Sequence, residues 1–529
     1  MTARRAALGV LCALLLGHCG TSRHARLEVA APRPTRQSLA RNASAFRPRP
    51  GALDTTPRST IHDARLRRSV LVGEATPVGV EAREAPAFEP SLHYRLSSDA
   101  ALQTLSIQTC FEGQPPPWLS PGIARASMAL LGARDSDGAV LSVVDGRIDL
   151  RSLGRDACMT YRLDVDRARS ASRFSGRYGR DVVTSAGAFL WRDLRRTPRG
   201  GATARFDLPP GLSAAVPWPR QGSVYRLDAS AFRRASFIAL GELHPVEITR
   251  QGARVRAVRL GPDPWTLDDA GLRRWLETAV DGISTVQGRF PVEDLLIVLA
   301  PLAGRGMGFG MVRRGGGHAV GFQMGRRSTF EDLTGSWVSW HELSHLQLPA
   351  LPQRDAWLYE GLATYYQEVV AARMGFKSEA DAWGALRQGF ERGSNSRARG
   401  PLSEAAEGMM QTGAFSRVYW SGTAFALEAD LALRANGSSL DEALTRAAPS
   451  WRGSTRLWNS DEVCAAWDRP LDSDVLGALR SRYAAARRFP EVGPALSQLG
   501  VPVEGAMELD DAAELSAVRQ SIMRRPDQR

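Results

Sequence analysis

The chain has 529 residues, 43% of them hydrophobic, and a formal net charge of +12. A chain of this length can bury the cores of two or three domains, and its content of apolar and charged residues is ordinary for a globular protein. The positive charge comes from scattered arginines, with Lys377 the only lysine, and no nucleic-acid-binding module accompanies it. We therefore expect no nucleic-acid partner.

The first 19 residues have the pattern of an export signal. Arg4 and Arg5 precede an apolar core at 6–17 that is too short to span a bilayer. Cys19 stands where a bacterial lipoprotein is cleaved and lipidated, although His18 replaces the small residue that usually precedes that cysteine. Two alternatives follow: a lipoprotein attached to the membrane through Cys19, or an ordinary secreted protein. Both predict a bacterial protein exported to the periplasm, the membrane or the medium.

Residues 20–91 are rich in Arg, Pro, Ala and Ser and lack sustained periodicity, which predicts a disordered tether or a removable pro-segment. From 92 to 207, short alternating runs separated by turns predict an antiparallel β domain. The alternation places Cys110 and Cys158 on the polar faces of two strands. A surface disulfide, which export permits, and two separate thiols are the alternatives. Cys464, by contrast, fits a buried helical position.

A second, sheet-containing region is predicted at 208–350. Its first clear helix follows Asp268, a suitable capping residue, and carries an apolar face. The apolar runs at 295–300 and 318–322 predict strands. The glycine-rich stretch between them, 304–317, predicts a mobile loop at the rim of a cleft.

This region ends with the pattern H-E-x-x-H, formed by His341, Glu342 and His345 in a segment with helical apolar spacing. On a helix, positions i and i+4 share a face, so both imidazoles can bind one metal ion. Glu342 lies beside them and is the candidate general base for an attacking water. Catalytic zinc takes three protein ligands. Glu360 can supply the third from the next predicted helix, for which Asp355 is the expected N-cap.

Two further runs carry a resemblance to a known family. Residues 357–363, W-L-Y-E-G-L-A, resemble the W-L-x-E-G-x-A run of the gluzincin peptidases, and residues 418–422, V-Y-W-S-G, resemble their Y-x-K-G element. The stretch 431–442 is similar to the glycyl aminopeptidase-type family of the same clan. The chain departs from that pattern in three ways. Ser421 replaces the lysine, the loop before Glu360 is shorter than usual, and the usual C-terminal PDZ domain is expected to be missing.

The resemblance implies a zinc metallopeptidase with an α+β fold. The expected order is an N-terminal antiparallel β domain, a thermolysin-like catalytic domain with a small sheet and zinc helices, a mostly helical part at 351–500, and a tail at 501–529. The resemblance also implies a single Zn²⁺ ion as cofactor. The implied site residues are His341, His345 and Glu360 as zinc ligands, Glu342 as general base, and Tyr419 as hydrogen-bond donor to the oxyanion.

The expected reaction is hydrolysis of peptide bonds in a peptide or protein substrate. Aminopeptidases of the clan hold the free amine of the substrate with a glutamate on the strand before the zinc helix, whereas residues 295–330 contain no Asp or Glu. We therefore expect an endopeptidase, or an exopeptidase with a different anchor. The alternatives are an aminopeptidase with an unrecognised amine anchor, an inactive binding or scaffold protein on the same fold, and a hydrolase of other electrophiles. The sequence predicts no oligomeric state.

Overall fold

Alternating apolar and polar residues form most of the strands in the first half of the chain, and amphipathic segments form the helices of the second half. A computed structural model provides the coordinates. The predicted export signal with Cys19, and the predicted tether or pro-segment as far as residue 87, lie outside the described residues. No helix within the described residues is long and apolar enough to cross a membrane. The described residues are 88–169, 174–452, 454 and 456–526.

Within these residues the strands form sheets of seven, four, five and three strands. In chain order the strands are β1 (Leu92–Ser98), β2 (Thr104–Phe111), β3 (Trp118–Leu119), β4 (Leu130–Asp135), β5 (Val143–Val144), β6 (Arg147–Asp149), β7 (Cys158–Asp164), β8 (Gly176–Tyr178), β9 (Asp181–Ser185), β10 (Ala202–Asp207), β11 (Ser213–Ala215), β12 (Arg220–Gln221), β13 (Val224–Leu227), β14 (Phe237–Gly241), β15 (Val246–Arg250), β16 (Ala253–Arg259), β17 (Asp294–Leu302), β18 (Met307–Arg313) and β19 (His318–Gly325).

The helices are short before residue 269 and dominate the chain after residue 330. In chain order they are α1 (Val165–Arg169), α2 (Ala186–Phe189), α3 (Ala229–Arg233), α4 (Asp269–Gln287), α5 (Phe330–Thr334), α6 (Trp337–Ser344), α7 (Ala356–Arg373), α8 (Glu379–Ser394), α9 (Leu402–Glu407), α10 (Met409–Thr412), α11 (Phe415–Ala435), α12 (Leu440–Trp451), α13 (Ser460–Asp468), α14 (Val475–Ala485), α15 (Gly493–Gln498) and α16 (Ser516–Met523).

The seven-stranded sheet has the order β12-β13-β10-β1-β2-β7-β4. Its pairs are antiparallel except that β1 and β10 run parallel, which the sequence did not indicate. Cys110 and Cys158 face each other on β2 and β7, with their Cα atoms 4.0 Å apart, and form a disulfide. This confirms the first of the two alternatives for these cysteines. Cys464 lies fully buried in α13, as expected.

The hydrophobic core of this strand-rich part extends beyond residue 207. Leu92 on β1 and Leu240 on β14 belong to the same buried cluster, and β14 pairs with β9 in the four-stranded sheet. Strands on both sides of residue 208, the predicted start of the second region, therefore belong to the same sheets. The physical reason is strand pairing between distant segments, which alternation within one segment does not reveal.

The five-stranded sheet has the order β15-β16-β17-β19-β18 and supports the predicted site. The carboxylate of Asp268 accepts the backbone N–H of Gly271, so α4 begins at the predicted cap. Trp275 of α4 packs edge-on against Phe322 of β19, with ring centroids 6.0 Å apart. The predicted mobile loop at 304–317 is wrong, because it contains β18, the antiparallel edge strand of this sheet. The glycines permit close packing here, as Gly310 shows below.

After α6 the chain is helical, and α7 and α11 cross in direct contact. A Cβ atom at Gly361 of α7 would lie 2.1 Å from the carbonyl carbon of Gly422 in α11, so only glycine fits at the crossing. The predicted tail beyond residue 500 also packs on this helical part. Arg519 of α16 is buried and forms a salt bridge with Glu379 of α8, with 2.8 Å between Nε and Oε1.

Candidate metal centre

Helices α6 and α7 bring the three predicted metal ligands together. The last turn of α6 continues into a 3-10 turn at His345–Gln347, which keeps His341 and His345 on one face, with ring centroids 4.8 Å apart. The Nε2 atoms of these histidines lie 3.2 and 3.5 Å from Oε2 of Glu360 on α7. One ligand atom from each residue lies within 4.8 Å of the others. The geometry therefore offers two imidazole nitrogens and one carboxylate oxygen to a single ion.

Behind His341 lies a buried hydrogen-bond network that the sequence did not reveal. Nδ1 of His341 is 2.9 Å from Oε1 of Gln367, and Nε2 of Gln367 donates to Oε1 of Glu368 at 2.9 Å. Lys377, the only lysine of the chain, forms a salt bridge with Glu368. Because the Gln367 oxygen can only accept, it holds the proton of His341 on Nδ1 and leaves Nε2 facing Glu360.

Glu342 lies against the edge strand β18. A Cβ atom at Gly310 would lie 2.3 Å from Cγ of Glu342, so the glycine allows the strand backbone to approach the carboxylate closely. The backbone N–H of Val312 donates a hydrogen bond to that carboxylate. Burial raises the pKa of Glu342 to about 7, and the charge of His341 opposes this rise. A carboxylate with a pKa near neutrality can both accept and release a proton.

Tyr419 reaches the site from α11. Its ring stacks on the ring of His341, with centroids 5.8 Å apart and 4° between the planes. Its phenol hydrogen-bonds to Glu360, and burial together with that negative charge raises the pKa of Tyr419 well above its usual value. The phenol thus keeps its proton and remains a donor. Ser421, at the position where the resembled motif has lysine, is buried, and its hydroxyl has no hydrogen-bond partner among the described residues.

The charges of the three ligand side chains suit a cation. Burial lowers the pKa of His345 to about 3, which keeps this imidazole neutral and its nitrogen free to bind. For Glu360, burial acts to raise the pKa, but the interactions with His345 and His341 outweigh it and lower the pKa. Two imidazoles and one carboxylate match the donor set of a catalytic zinc site. The residues present therefore fit a Zn²⁺ ion.

Asp355 occupies the predicted position before α7, but its carboxylate does not cap that helix. Instead it accepts hydrogen bonds from the backbone N–H of Ser460, at 3.1 Å, and from the Ser460 hydroxyl, at 2.7 Å. The expected capping role is therefore wrong, because a partner distant in sequence competes for the same oxygens. The carboxylate links α7 to the start of α13.

No family model and no curated protein matches this chain. Among solved structures, an aminopeptidase N family protein from Idiomarina loihiensis aligns with a TM-score of 0.58 and 14% identity, over 78% of this chain and 80% of that chain. The chain shares the fold of that protein. An M1 zinc metallopeptidase from Deinococcus radiodurans aligns with a TM-score of 0.46 and 18% identity, over 76% of this chain and 95% of that chain. A variant of a two-domain M1 zinc metallopeptidase bound to L-tryptophan aligns with a TM-score of 0.46 and 17% identity, over 76% of this chain and 96% of that chain. The first of these alignments agrees with the expected α+β class and the helical C-terminal part.

Proposed function

We propose that this protein is a zinc-dependent metallopeptidase that hydrolyses peptide bonds. The observation that carries the proposal is the buried group of His341, His345 and Glu360, whose ligand atoms lie within 4.8 Å of one another. Glu342 follows His341 on α6, and His345 begins the 3-10 turn that continues this helix. A shared fold does not by itself define an activity, so the proposal depends on these side chains.

A bound zinc ion supplies a Lewis acid that polarises the substrate carbonyl and acidifies a water molecule. Glu342 accepts the proton of the attacking water and delivers it to the leaving amine, for which its raised pKa is suitable. Tyr419 donates a hydrogen bond to the oxyanion that forms after attack. Gln367 holds the orientation of His341 throughout the reaction.

The finer assignment is also our proposal. The runs at 357–363 and 418–422 support a gluzincin peptidase, with the glycyl aminopeptidase-type family suggested by 431–442. The structural neighbour from Idiomarina loihiensis is named as an aminopeptidase N family protein, so an aminopeptidase is the second candidate function. The engagement of Asp332, one of the first carboxylates after β19, supports the endopeptidase. Asp332 accepts the backbone N–H of Thr329 at 2.8 Å and pairs with Arg305, which leaves it engaged away from a substrate amine.

Peptides with free and acetylated N-termini, incubated with the zinc-loaded protein and analysed by mass spectrometry, test this function. We expect internal cleavage of both forms, and we expect a chelator to abolish it and added Zn²⁺ to restore it. Removal of one residue at a time from the free forms alone would establish the aminopeptidase. Absence of hydrolysis with zinc bound would favour the binding or scaffold protein, or a hydrolase of other electrophiles.

Export remains a proposal that depends on residues 1–19. Fractionation of expressing cells tests it, and labelling with a radioactive fatty acid distinguishes the two alternatives for Cys19. Incorporation of label that is lost in Cys19→Ala supports the lipoprotein, whereas an unlabelled protein in the medium supports simple secretion.

A further inference from the structure

Two arginines end the edge strand that contacts the general base. The backbone of Val312 donates to Glu342, and Arg313 and Arg314 follow it directly in the chain. The charge of Arg313 is close enough to interact with Glu342. Arg314 donates a hydrogen bond to the backbone carbonyl of His345, at the far end of the zinc helix. Both arginines therefore lie at the end of the strand that contacts the proposed general base.

Neither arginine has a carboxylate partner within salt-bridge distance in the part of the chain that the structure describes. Each donates a hydrogen bond to a backbone carbonyl, Arg313 to that of Val312 and Arg314 to that of His345. The neighbouring arginines of the same segment differ. Arg305 pairs with Asp332 and Arg326 pairs with Asp263. Burial is substantial at the unpaired sites, since desolvation lowers the pKa of Arg314 to about 10. A guanidinium held out of water without a counter-ion is costly, and a bound anion relieves that cost.

Three arginines lie around this strand end, whereas the acidic groups that act on it are Glu342 and Asp294, and Asp294 is already paired with Arg254 and Arg256. The positive charge of Arg234 lowers the pKa of Arg314, and both of these arginines lower the pKa of His318 at the start of β19, where burial has the larger effect. Glu342 is the acidic group whose charge acts on Arg313, and it is within reach of the same strand through Gly310. A substrate ammonium would be repelled here, whereas a carboxylate would gain charge-assisted hydrogen bonds in the planar geometry that arginine favours.

We propose, as an extension of the function proposed above, that Arg313 and Arg314 bind a carboxylate of the substrate next to the scissile bond, so that the enzyme selects acidic peptides. The carboxylate belongs either to an Asp or Glu side chain or to the C-terminus of a short peptide. Both sources present the same group to the arginines, and the experiment separates them.

The test uses the zinc-loaded full-length protein and peptides matched in sequence. One pair differs by Glu against Gln beside the cleaved bond, and a second pair differs by a free against an amidated C-terminus. We expect kcat/KM to be about 10- to 100-fold higher for the peptide with the recognised carboxylate, the range expected for a hydrogen bond to a charged group. A preference in the first pair identifies the side chain, and one in the second pair identifies the C-terminus. Equal rates within both pairs would overturn the proposal.

Arg313→Gln should remove this preference, lowering kcat/KM for the acidic peptide to the value for its neutral match. Arg305→Gln is the matched control, because Arg305 lies on the same segment but is already paired with Asp332, and it should leave the preference unchanged. An equal fall for both peptides in Arg313→Gln would show that Arg313 acts only on Glu342, and this would also overturn the proposal.

The preference can be separated from the proposed hydrolysis by measuring binding. In zinc-loaded Glu342→Gln, equilibrium binding of the acidic and neutral peptides should differ by a similar factor, and Arg313→Gln on that background should abolish the difference. If the wild-type protein hydrolyses no peptide but this binding difference is present, the proposed peptidase function is wrong and binding of the carboxylate by Arg313 is supported. If peptides are hydrolysed but the acidic and neutral peptides bind equally, the proposed carboxylate site is wrong and the peptidase function is supported.

Discussion

Adding one methyl group at Gly310 should displace the general base. An ideal Cβ there would lie 2.3 Å from Cγ and 2.9 Å from Cδ of Glu342. Carbon atoms in contact prefer about 3.5–4.0 Å, so the two groups must separate by more than ~1 Å. The backbone of Gly310 is paired with Phe322 of β19, so the side chain of Glu342 is the part that moves. A misplacement of about 1 Å can cost on the order of a hundredfold in rate.

The assay compares kcat/KM of Gly310→Ala with the wild-type protein, together with zinc content and the thermal unfolding midpoint. We expect a loss of about a hundredfold with zinc content unchanged, because the three atoms nearest to the added Cβ all belong to Glu342 and none belongs to a metal ligand. Gly308→Ala is the matched control on the same strand. Its Cβ would approach Cδ1 of Leu302 at 2.7 Å, the end of a flexible side chain that can rotate away.

Two results would refute this reasoning. Near-normal kcat/KM in Gly310→Ala would show that the contact between β18 and Glu342 does not position the base. An equal loss in Gly308→Ala would show that the strand as a whole, and not the approach of Gly310 to the carboxylate, controls the rate.

Three further substitutions separate the roles of the site residues. Glu342→Gln should keep zinc bound and lower kcat by about a hundredfold to ten-thousandfold; stopped assays with metal analysis measure both, and near-normal hydrolysis would remove Glu342 from the mechanism. Tyr419→Phe should lower kcat by about a hundredfold to a thousandfold with little change in KM, since the oxyanion exists only after attack. Equal steady-state rates in this variant and the wild-type protein would show that Tyr419 only packs against its neighbours. Gln367→Leu should weaken zinc affinity about 10- to 100-fold, because His341 loses the acceptor that orients it, while Gln367→Glu, which keeps an acceptor oxygen, should not. Competition with a fluorescent chelator measures the zinc affinity of each variant. Equal affinities in the two variants would contradict the role of Gln367.

The histidine helix could be predicted because its information is local. His341 and His345 are four residues apart, and helical geometry alone brings them to one face. Gln367 could not be predicted in the same way. It lies two helical turns after Glu360 and so faces the same direction, but Gln is common on helices. Its role follows only once Nδ1 of His341 is seen to point at it.

The glycine-rich stretch at 304–317 shows why the edge strand was missed. Strand prediction depends on alternating side chains, and glycine contributes none. In the structure these glycines mark places where other atoms occupy the Cβ position: Glu342 beside Gly310, and the backbone carbonyl of Pro217 beside Gly317. Glycine therefore indicated close approach here and not mobility.

Close approach at glycine also explains how the runs at 357–363 and 418–422, which are far apart in sequence, form one site. Glu360 precedes Gly361 on α7, and Tyr419 lies one turn before Gly422 on α11; the two glycines meet where the helices cross. Their contact lets the helix axes approach until the phenol of Tyr419 can hydrogen-bond to Glu360.

Serine at position 421, where the motif that this run resembles has lysine, is compatible with this geometry. Residues i and i+2 of a helix point in nearly opposite directions, whereas i and i+3 share a face. Tyr419 and Gly422 thus face α7 together, and Ser421 points away from the tyrosine into the core, where it is 1% exposed. The position at which the chain differs from that motif points away from Tyr419, and so the chain can carry serine there and still present the phenol to Glu360.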